Sequence, residues 1–385
     1  MHIHITLVGG QTAPVYSGII HSKADSVVLV CSKESRGEAE RISSIVEVPC
    51  AFLELHPTDV SAIFRDVTAF SEGLDRDADL SVNLVGGTKP WSLVFYSLFK
   101  DRPSTRIELV DQNNRIWDFS ARKWEDLPPV DIDTVFRLYG NPLVKSRKFT
   151  DYQAEDAAVA KRVEKYRSRT FSSKCFNHFN QLTAVLDPDW DKILQTRRSG
   201  LFSIDSGNWV EWNKDTGVVR ILLTDKNGQP QEAEFQSPQA VNLVFNSGWF
   251  EFKVAAALST WKRSCEIRLN CLFPLSENQD SNIKNEVDVV VSTGRKLLFF
   301  ECKTKLFRPL DVDKFASVVK NYGGMGTKGI LVTWEPVTEQ ALKKCDEYGL
   351  LYFCIKDHFQ LDKPKNWQKH LIDFLEASVD SVNKK

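Results

Sequence analysis

The chain has 385 residues, more than one hydrophobic core usually serves, so two domains are expected. Its 42% hydrophobic and 26% charged residues are those of an ordinary globular protein, and a formal charge of −1 excludes a global basic footprint, so any nucleic-acid surface must be a local patch. Eight cysteines with no CxxC pair read as reduced thiols, and with no apolar leader or bilayer-length apolar run the expectation is a cytoplasmic protein with no membrane partner.

Residues 1 to 120 alternate strands and helices. Residues 3–8 read as a strand ending in Gly9-Gly10-Gln11-Thr12-Ala13-Pro14, with a helix following through 17–21. Residues 26–31 form a second apolar strand, followed by a polar loop at Ser32 and a helix through Ile45. Residues 57–70 have helical spacing, with Val60, Phe64 and Val67 on one face. Residues 80–85 read as a strand ending in Gly86-Gly87-Thr88-Lys89-Pro90, and the early proline suits the start of a helix over 91–100. Strands over 107–110 and 115–119 complete a doubly wound α/β pattern. Ligands of such sheets bind at the carboxyl ends of strands, where both Gly-Gly loops fall. Glycines allow close backbone approach, and amides at a helix start favour anions. Either loop alone reads equally well as a tight turn. Two at corresponding strand ends, with the Ser32 loop between them, favour a nucleotide pocket. Asp111, in Asp-Gln-Asn-Asn, reads as a turn residue in preference to a pocket residue at the sheet end.

The expected domains are 1–140 and 172–385, with 141–171 as linker. Pro128-Pro129 and Asn141-Pro142 break structure. A charged helix over 152–166 has Ala157, Ala160 and Val163 on its apolar face, while Lys161, Arg162, Lys165, Arg167 and Arg169 crowd one end and read as a solvated face in preference to a nucleic-acid contact. A helix is expected over 176–186, then hairpins over 209–235 with turns at Lys214-Asp215-Thr216-Gly217 and Asp225-Lys226-Asn227-Gly228. The next helix, over 249–261, carries the stripe Phe250, Val254, Leu258 and Trp261, with Glu251 beside it in the first turn. Strands over 265–273, 287–291 and 297–300, a helix over 310–322, a strand over 329–334, a helix over 338–348 and a strand over 350–355 follow.

Two of those strands carry acids. Asp288 interrupts the first, and the second ends in Glu301-Cys302-Lys303. Alternation projects Glu301 and Lys303 from one face and Cys302 from the other. A carboxylate among such apolar neighbours is costly unless it is paired or binds a cation. The other reading is a charged edge hairpin. An acid, a gap and then acid-x-lysine resembles the PD-(D/E)xK nuclease core, with Val287 where that family usually has proline. The order helix, three strands, helix, strand fits it too. The resemblance implies that Asp288, Glu301 and the backbone carbonyl of Cys302 hold Mg²⁺ or Mn²⁺, with Glu251 as an extra acid and Lys303 orienting water or stabilising charge. Charge complementarity at a helix start is the other reading of Glu251.

The stretches VNLVGGTKPW and GGQTAPV resemble the CARF domain of the CRISPR-associated CARF-nuclease family, and ECKTK is the nuclease half expected there. The resemblance spans the whole chain in the right domain order. It implies α/β architecture throughout: an N-terminal Rossmann-like CARF domain with a doubly wound sheet and a C-terminal restriction-endonuclease-like PD-(D/E)xK domain. It also implies a homodimer that binds cyclic oligoadenylate, most commonly cyclic tetra-adenylate, across its two-fold axis. Gly10, Gln11, Thr12, Ser32, Gly87, Thr88 and Lys89 are the implied ligand contacts. The expected activity is metal-dependent endonuclease cleavage of single-stranded DNA or RNA, or nicking of duplex DNA, in type III CRISPR antiviral defence. Lys262, Arg263, Lys305 and Arg308 are candidate backbone contacts, although each taken singly reads more readily as a solvated surface residue. The alternatives are a CARF sensor with a silent nuclease domain and a constitutive DNA-processing nuclease.

Overall fold

The computed structural model describes the chain apart from residues 112, 168–192, 195, 206, 225–227, 246, 275–283, 305–307, 325, 359–365 and 380–385. The N-terminal domain is built from β1 (His2–Leu7), α1 (Thr12–Ser22), β2 (Ser26–Cys31), α2 (Arg36–Ser43), β3 (Cys50–Glu54), α3 (Val60–Glu72), β4 (Asp79–Asn83), α4 (Lys89–Phe99), β5 (Thr105–Val110), β6 (Arg115–Asp118) and β7 (Lys123–Asp126). The strand order is β3-β2-β1-β4-β5-β6-β7. The first five strands are parallel, and β6 and β7 are antiparallel additions. This is the doubly wound sheet that the alternation of apolar runs implies. Strand alternation sends Ile5, Leu7, Leu80 and Val82 to a core shared with Trp91 and Phe95 of α4. The opposite face packs Val27 and Leu29 against Val15 and Ile19 of α1 and Ala39 of α2.

The structure corrects three of the sequence readings. The strands β3 and β7 have no counterpart among the expected elements. On α3 the buried residues are Ile63 and Val67, while Val60 and Phe64 are 55% and 47% exposed, so the core-facing stripe is rotated about the helix. The stretch expected as a linker is structured over 144–167, and residues 168–171 lie outside the described residues. It contributes β8 (Lys145–Lys148) to the second domain's sheet, and α6 (Ala154–Arg167) buries Val159, Ala160 and Val163 in that domain's core, with Ala157 exposed.

The second domain continues with an antiparallel sheet of β9 (Ser199–Asp205), β10 (Asn208–Asn213), β11 (Val218–Thr224) and β12 (Pro230–Gln236). Then come α7 (Ala240–Val244), α8 (Gly248–Leu258), β13 (Glu266–Pro274), β14 (Lys284–Ser292), β15 (Leu297–Lys303), α9 (Pro309–Tyr322), β16 (Lys328–Thr333), α10 (Glu339–Tyr348), β17 (Leu351–Cys354) and α11 (Trp367–Ser378). In these labels the helix before β8, Ile132–Leu138, is α5. The main sheet has the order β17-β16-β15-β14-β13-β8, so the motif strands β14 and β15 are central. The helix expected over 176–186 and the turn at Asp225-Lys226-Asn227 lie outside the described residues. Among the described residues no helix is long and apolar enough to cross a membrane.

The domains share α5. Its Phe136 packs on Phe273 and Phe299 of the second domain, with ring centroids 4.8 and 6.0 Å apart. Two residues on, Leu138 is fully buried in the N-terminal core. The Leu138 carbonyl accepts from the Thr12 hydroxyl and from Arg41 Nε, both at 3.2 Å. At the other end of α5, the Ile132 N–H donates to Glu266 on β13 at 2.8 Å.

Candidate active site and ligand loops

The acids meet where the main sheet forks. β14 pairs with β15 from Ser292–Leu297 only as far as Val289–Phe300. Beyond that, β14 stays with β13 as far as Lys284, and β15 stays with β16 as far as Lys303. At the fork the Asp288 Oδ2 accepts the Cys302 backbone N–H at 2.7 Å, so the side chain satisfies a donor that the diverging ladder has released. Lys303 Nζ lies 2.7 Å from Glu301 Oε1 and 3.6 Å from Asp288 Oδ2. The Cys302 side chain is buried in the apolar core. A charged edge hairpin is excluded, because both strands are central and Val287, Val289–Val291 and Leu298–Phe300 are fully buried.

Glu251 reaches the same site from α8. A Cβ at Gly248 would lie 1.9 Å from the Asn242 carbonyl oxygen, so only glycine lets α8 start this close to α7. Phe250, Val254, Leu258 and Trp261 are buried as their spacing requires, and Glu251 is carried inward with them to 8% exposure. Its Oε2 accepts from Asn270 Nδ2 of β13 at 3.1 Å. Two further groups border the site that the sequence reading missed, Asn270 and Glu286. Their only sequence signals are a lone amide in the apolar run around Leu269 and Cys271 and an acid two residues before Asp288.

The electrostatics reflect crowding of like charge. Burial first, then Asp288, pushes the Glu301 carboxyl up to about 8 despite Lys303. Burial, then Asp288 and Glu286, holds Glu251 well above the usual carboxylate range, with Lys303 and Asn270 opposing. Glu286 is raised by desolvation of its carboxyl and by Asp288, and is pulled down by Asn270, Lys303 and Lys145. Burial disfavours the charge on Lys303, but Asp288 and Glu301 outweigh it and raise its pKa. Among the described residues no three His, Cys, Asp or Glu side chains are gathered as a ready metal cluster, and the Lys303 ammonium lies between Asp288 and Glu301. The donor set nevertheless fits a hard divalent cation: partly desolvated carboxylates that repel one another are oxygen ligands short of positive charge.

The N-terminal loops flank the point where the strand order reverses, between β1 and β4. They pack backbone against backbone. A Cβ on Gly9 would lie 2.8 Å from the Gly87 nitrogen, and one on Gly86, at φ +77°, would lie 2.5 Å from the Leu7 carbonyl oxygen. Gly10 and Lys89 are exposed, and Gln11, Gly87 and Thr88 are half-buried. Thr88 precedes α4, and its hydroxyl oxygen is buried without a hydrogen-bond partner among the described residues. Thr12 is turned inward onto the Leu138 carbonyl. Ser32 is buried, with its N–H and hydroxyl both engaged with Ser35. Gly10, Gln11 and Thr12 also line a cavity of about 350 Å³ between the domains, opposite Lys296, Lys320 and Thr327. Ser32, Gly87, Thr88 and Lys89 are not on its wall. Asp111 acts as a turn residue, accepting from the Asn113 and Arg115 N–H groups, and it also lines the cavity. Of the basic candidates, Arg263 pairs with Glu376 and lies over Trp261, Arg308 pairs with Asp311, Lys262 is exposed, and Lys305 lies outside the described residues.

Residues 3–123 match the family model described as the Card1 CARF domain, and the N-terminal domain is a CARF domain. No curated protein matches the chain in sequence. Solved structures that share its fold include the following three. Can2 from Sulfobacillus thermosulfidooxidans, solved in complex with cyclic tetra-adenylate, is 19% identical with a TM-score of 0.65, over 99% of this chain and 100% of that one. Protein VC1899 from Vibrio cholerae is 15% identical with a TM-score of 0.71, over 98% of each. A type III CRISPR defence DNA nuclease activated by cyclic oligoadenylate is 17% identical with a TM-score of 0.55, over 86% of this chain and 45% of that one.

Proposed function

We propose that this chain is a metal-dependent endonuclease of type III CRISPR defence, switched on by cyclic oligoadenylate, with a PD-(D/E)xK active site. The observation that carries the reading is the fork that brings Asp288, Glu301 and Lys303 together, with Glu251 delivered by α8. Asp288, Glu301, Glu251 and the Cys302 carbonyl would hold Mg²⁺ or Mn²⁺. Bound there, the ion supplies Lewis-acid polarisation of the phosphate and makes water a better nucleophile. Asp288 keeps the strand ends in register through the Cys302 N–H. Lys303, held cationic by its two acids, orients water and offsets the negative charge that develops on the phosphate.

The CARF loops take the activator. Two close-packed Gly-Gly turns stand at the switch point with Gly10 exposed, Lys89 adds an exposed cation, and the Thr88 hydroxyl has no partner among the described residues. Gly10, Gln11 and Gly87 belong to the two loops that meet at this switch point, and Thr12 and Ser32 contribute backbone and shape. One chain presents half of a pocket, and the other half comes from a second copy. The face for that copy is an exposed apolar patch. Leu93 (70% exposed) and Tyr96 of α4 adjoin Phe119 and Trp124, with Tyr96 and Phe119 ring centroids 5.7 Å apart. Cyclic tetra-adenylate is the activator proposed, on the strength of the fold shared with the Can2 complex. Single-stranded DNA, single-stranded RNA and duplex DNA are the substrates to offer.

The test is cleavage of labelled single-stranded DNA, single-stranded RNA and supercoiled plasmid in Mn²⁺, with and without cyclic tetra-adenylate, by wild type and Glu301→Ala. Cleavage only with activator and only by wild type is expected. Activator-independent cleavage would remove the switch, and ligand binding without any cleavage would leave a sensor.

A further inference from the structure

A residue that is neither acid nor lysine borders the acidic site. Asn270 has φ +50° within β13, a left-handed conformation that glycine adopts freely and other residues adopt at a cost. The pairing of β13 with β8 shifts between Leu269 and Leu272, so the irregularity sits at this residue. Leu269 belongs to the core that holds Phe250, and Cys271 to the core that holds Phe136. Between them, the bulge aims the Asn270 amide at α8, where Nδ2 donates to Glu251 Oε2 at 3.1 Å. The same side chain also favours the charged form of Glu286 on β14, against the burial and the Asp288 charge that disfavour it. A strained backbone is retained here, and what it delivers is a neutral donor between two carboxylates. A lysine in that place would neutralise the charge that a cation requires. An amide fixes the carboxylates and leaves their charge in place.

We propose that Asn270 is a positioning residue of the nuclease site, whose amide spaces Glu251 from Glu286 and aims Glu251 at the cation position beside Asp288. The inference rests on the nuclease reading above.

The test is Asn270→Gly in the full chain. Glycine accepts φ +50°, so the bulge is kept and only the amide is lost. Melting in EDTA should match or exceed wild type. A Mn²⁺ titration followed by melting temperature reads binding independently of cleavage. Its midpoint should rise roughly tenfold or more in the variant, as expected when a ligand loses its supporting hydrogen bond. Cleavage at limiting Mn²⁺ should fall by about the same factor. In a Glu251→Gln background the second change should add little, because the amide acts through Glu251. An unchanged Mn²⁺ midpoint, or a full additive loss in that background, would overturn the positioning role and leave the nuclease reading standing. A collapsed melt in EDTA would also overturn it, by making Asn270 a residue of the fold. A wild type with neither Mn²⁺ response nor cleavage would overturn both.

Discussion

Replacing Glu301 by glutamine should make the metal-free protein more stable while abolishing cleavage. Glu301 bonds Lys303 at 2.7 Å, yet burial and the adjacent Asp288 raise its carboxyl from 4.5 to about 8. That rise works against ionising the side chain in the folded protein, at a cost on the order of a few kcal/mol. Glutamine keeps the shape and removes the charge. That cost is already net of the attraction to Lys303, and with relaxation and water entry about 1–3 kcal/mol of gain should remain for the variant at alkaline pH. The sign follows from proton linkage. The folded pKa lies above the unfolded one, so the native wild type carries an extra proton between about pH 4.5 and 8, and its stability falls as pH rises through that window. Glutamine has no such proton. The variant's advantage should therefore be small near about pH 5 and largest above about pH 8. Urea unfolding in EDTA at about pH 5 and about pH 9, followed by far-ultraviolet circular dichroism, reads it directly. Saturating Mn²⁺ should favour wild type instead. A variant no more stable than wild type at the higher pH, or equally advantaged at both, would refute the reasoning.

Other outcomes follow from different parts of the molecule. His4 is fully buried against the Ser81 hydroxyl at 2.7 Å, and burial pushes its pKa down to about 3. The unfolded chain takes up this proton below about pH 6.5, so stability present above that pH is lost on acidification, about 2 kcal/mol of it by pH 5. His4→Gln should flatten that slope in urea unfolding relative to wild type. Phe136→Ala should cost about 3–5 kcal/mol, because it empties a ring site between Phe273 and Phe299, and calorimetry should show it. Leu93→Glu combined with Tyr96→Glu should give a monomer in sedimentation velocity and weaken cyclic tetra-adenylate binding more than tenfold, since half of the proposed pocket leaves with the partner (roughly 1.4 kcal/mol per tenfold).

What the sequence makes legible is what local chemistry determines. The apolar runs at 26–31 and 297–300 announce strands, and the paired glycines announce close backbone approach before any partner is known. The stripe of α3 was not legible in the same way. Val60, Phe64, Val67 and Ile63, Val67, Phe70 are both helically spaced sets, they share Val67, and only packing against β1 and β4 selects the second. The Lys-Ser-Arg-Lys strand β8 carries no apolar pattern because it is an edge strand, held by backbone bonds to β13 across more than a hundred residues. The proline and asparagine punctuation on either side made it resemble a linker. Asp288, Glu301 and Lys303 were legible because charge in an apolar strand demands a reason. Asn270 and Glu286 needed the bulge and the fork, which are properties of strand pairing and leave no mark on composition.

The shared helix α5 gives the proposed switch a physical route. A ligand that favours one arrangement of the CARF loops must act on something those loops hold. They hold the Leu138 carbonyl, through the Thr12 hydroxyl at the start of α1. Phe136, two residues earlier, lies against β13 and β15, the strands that carry Asn270 and Glu301. Close-packed cores transmit such a displacement and do not absorb it. The acids at the far end are already crowded and repel one another, so small changes in their separation alter how well they hold a cation. Thr12→Val tests this route. It removes the hydroxyl bond and keeps the side-chain volume, so activator affinity should stay within about threefold while activated cleavage falls about tenfold, a coupling loss on the order of 1.4 kcal/mol. Binding measured by calorimetry beside cleavage rates separates the two. A variant that loses affinity and activation in equal proportion would place Thr12 in the pocket, and one that changes neither would take α5 out of the switch.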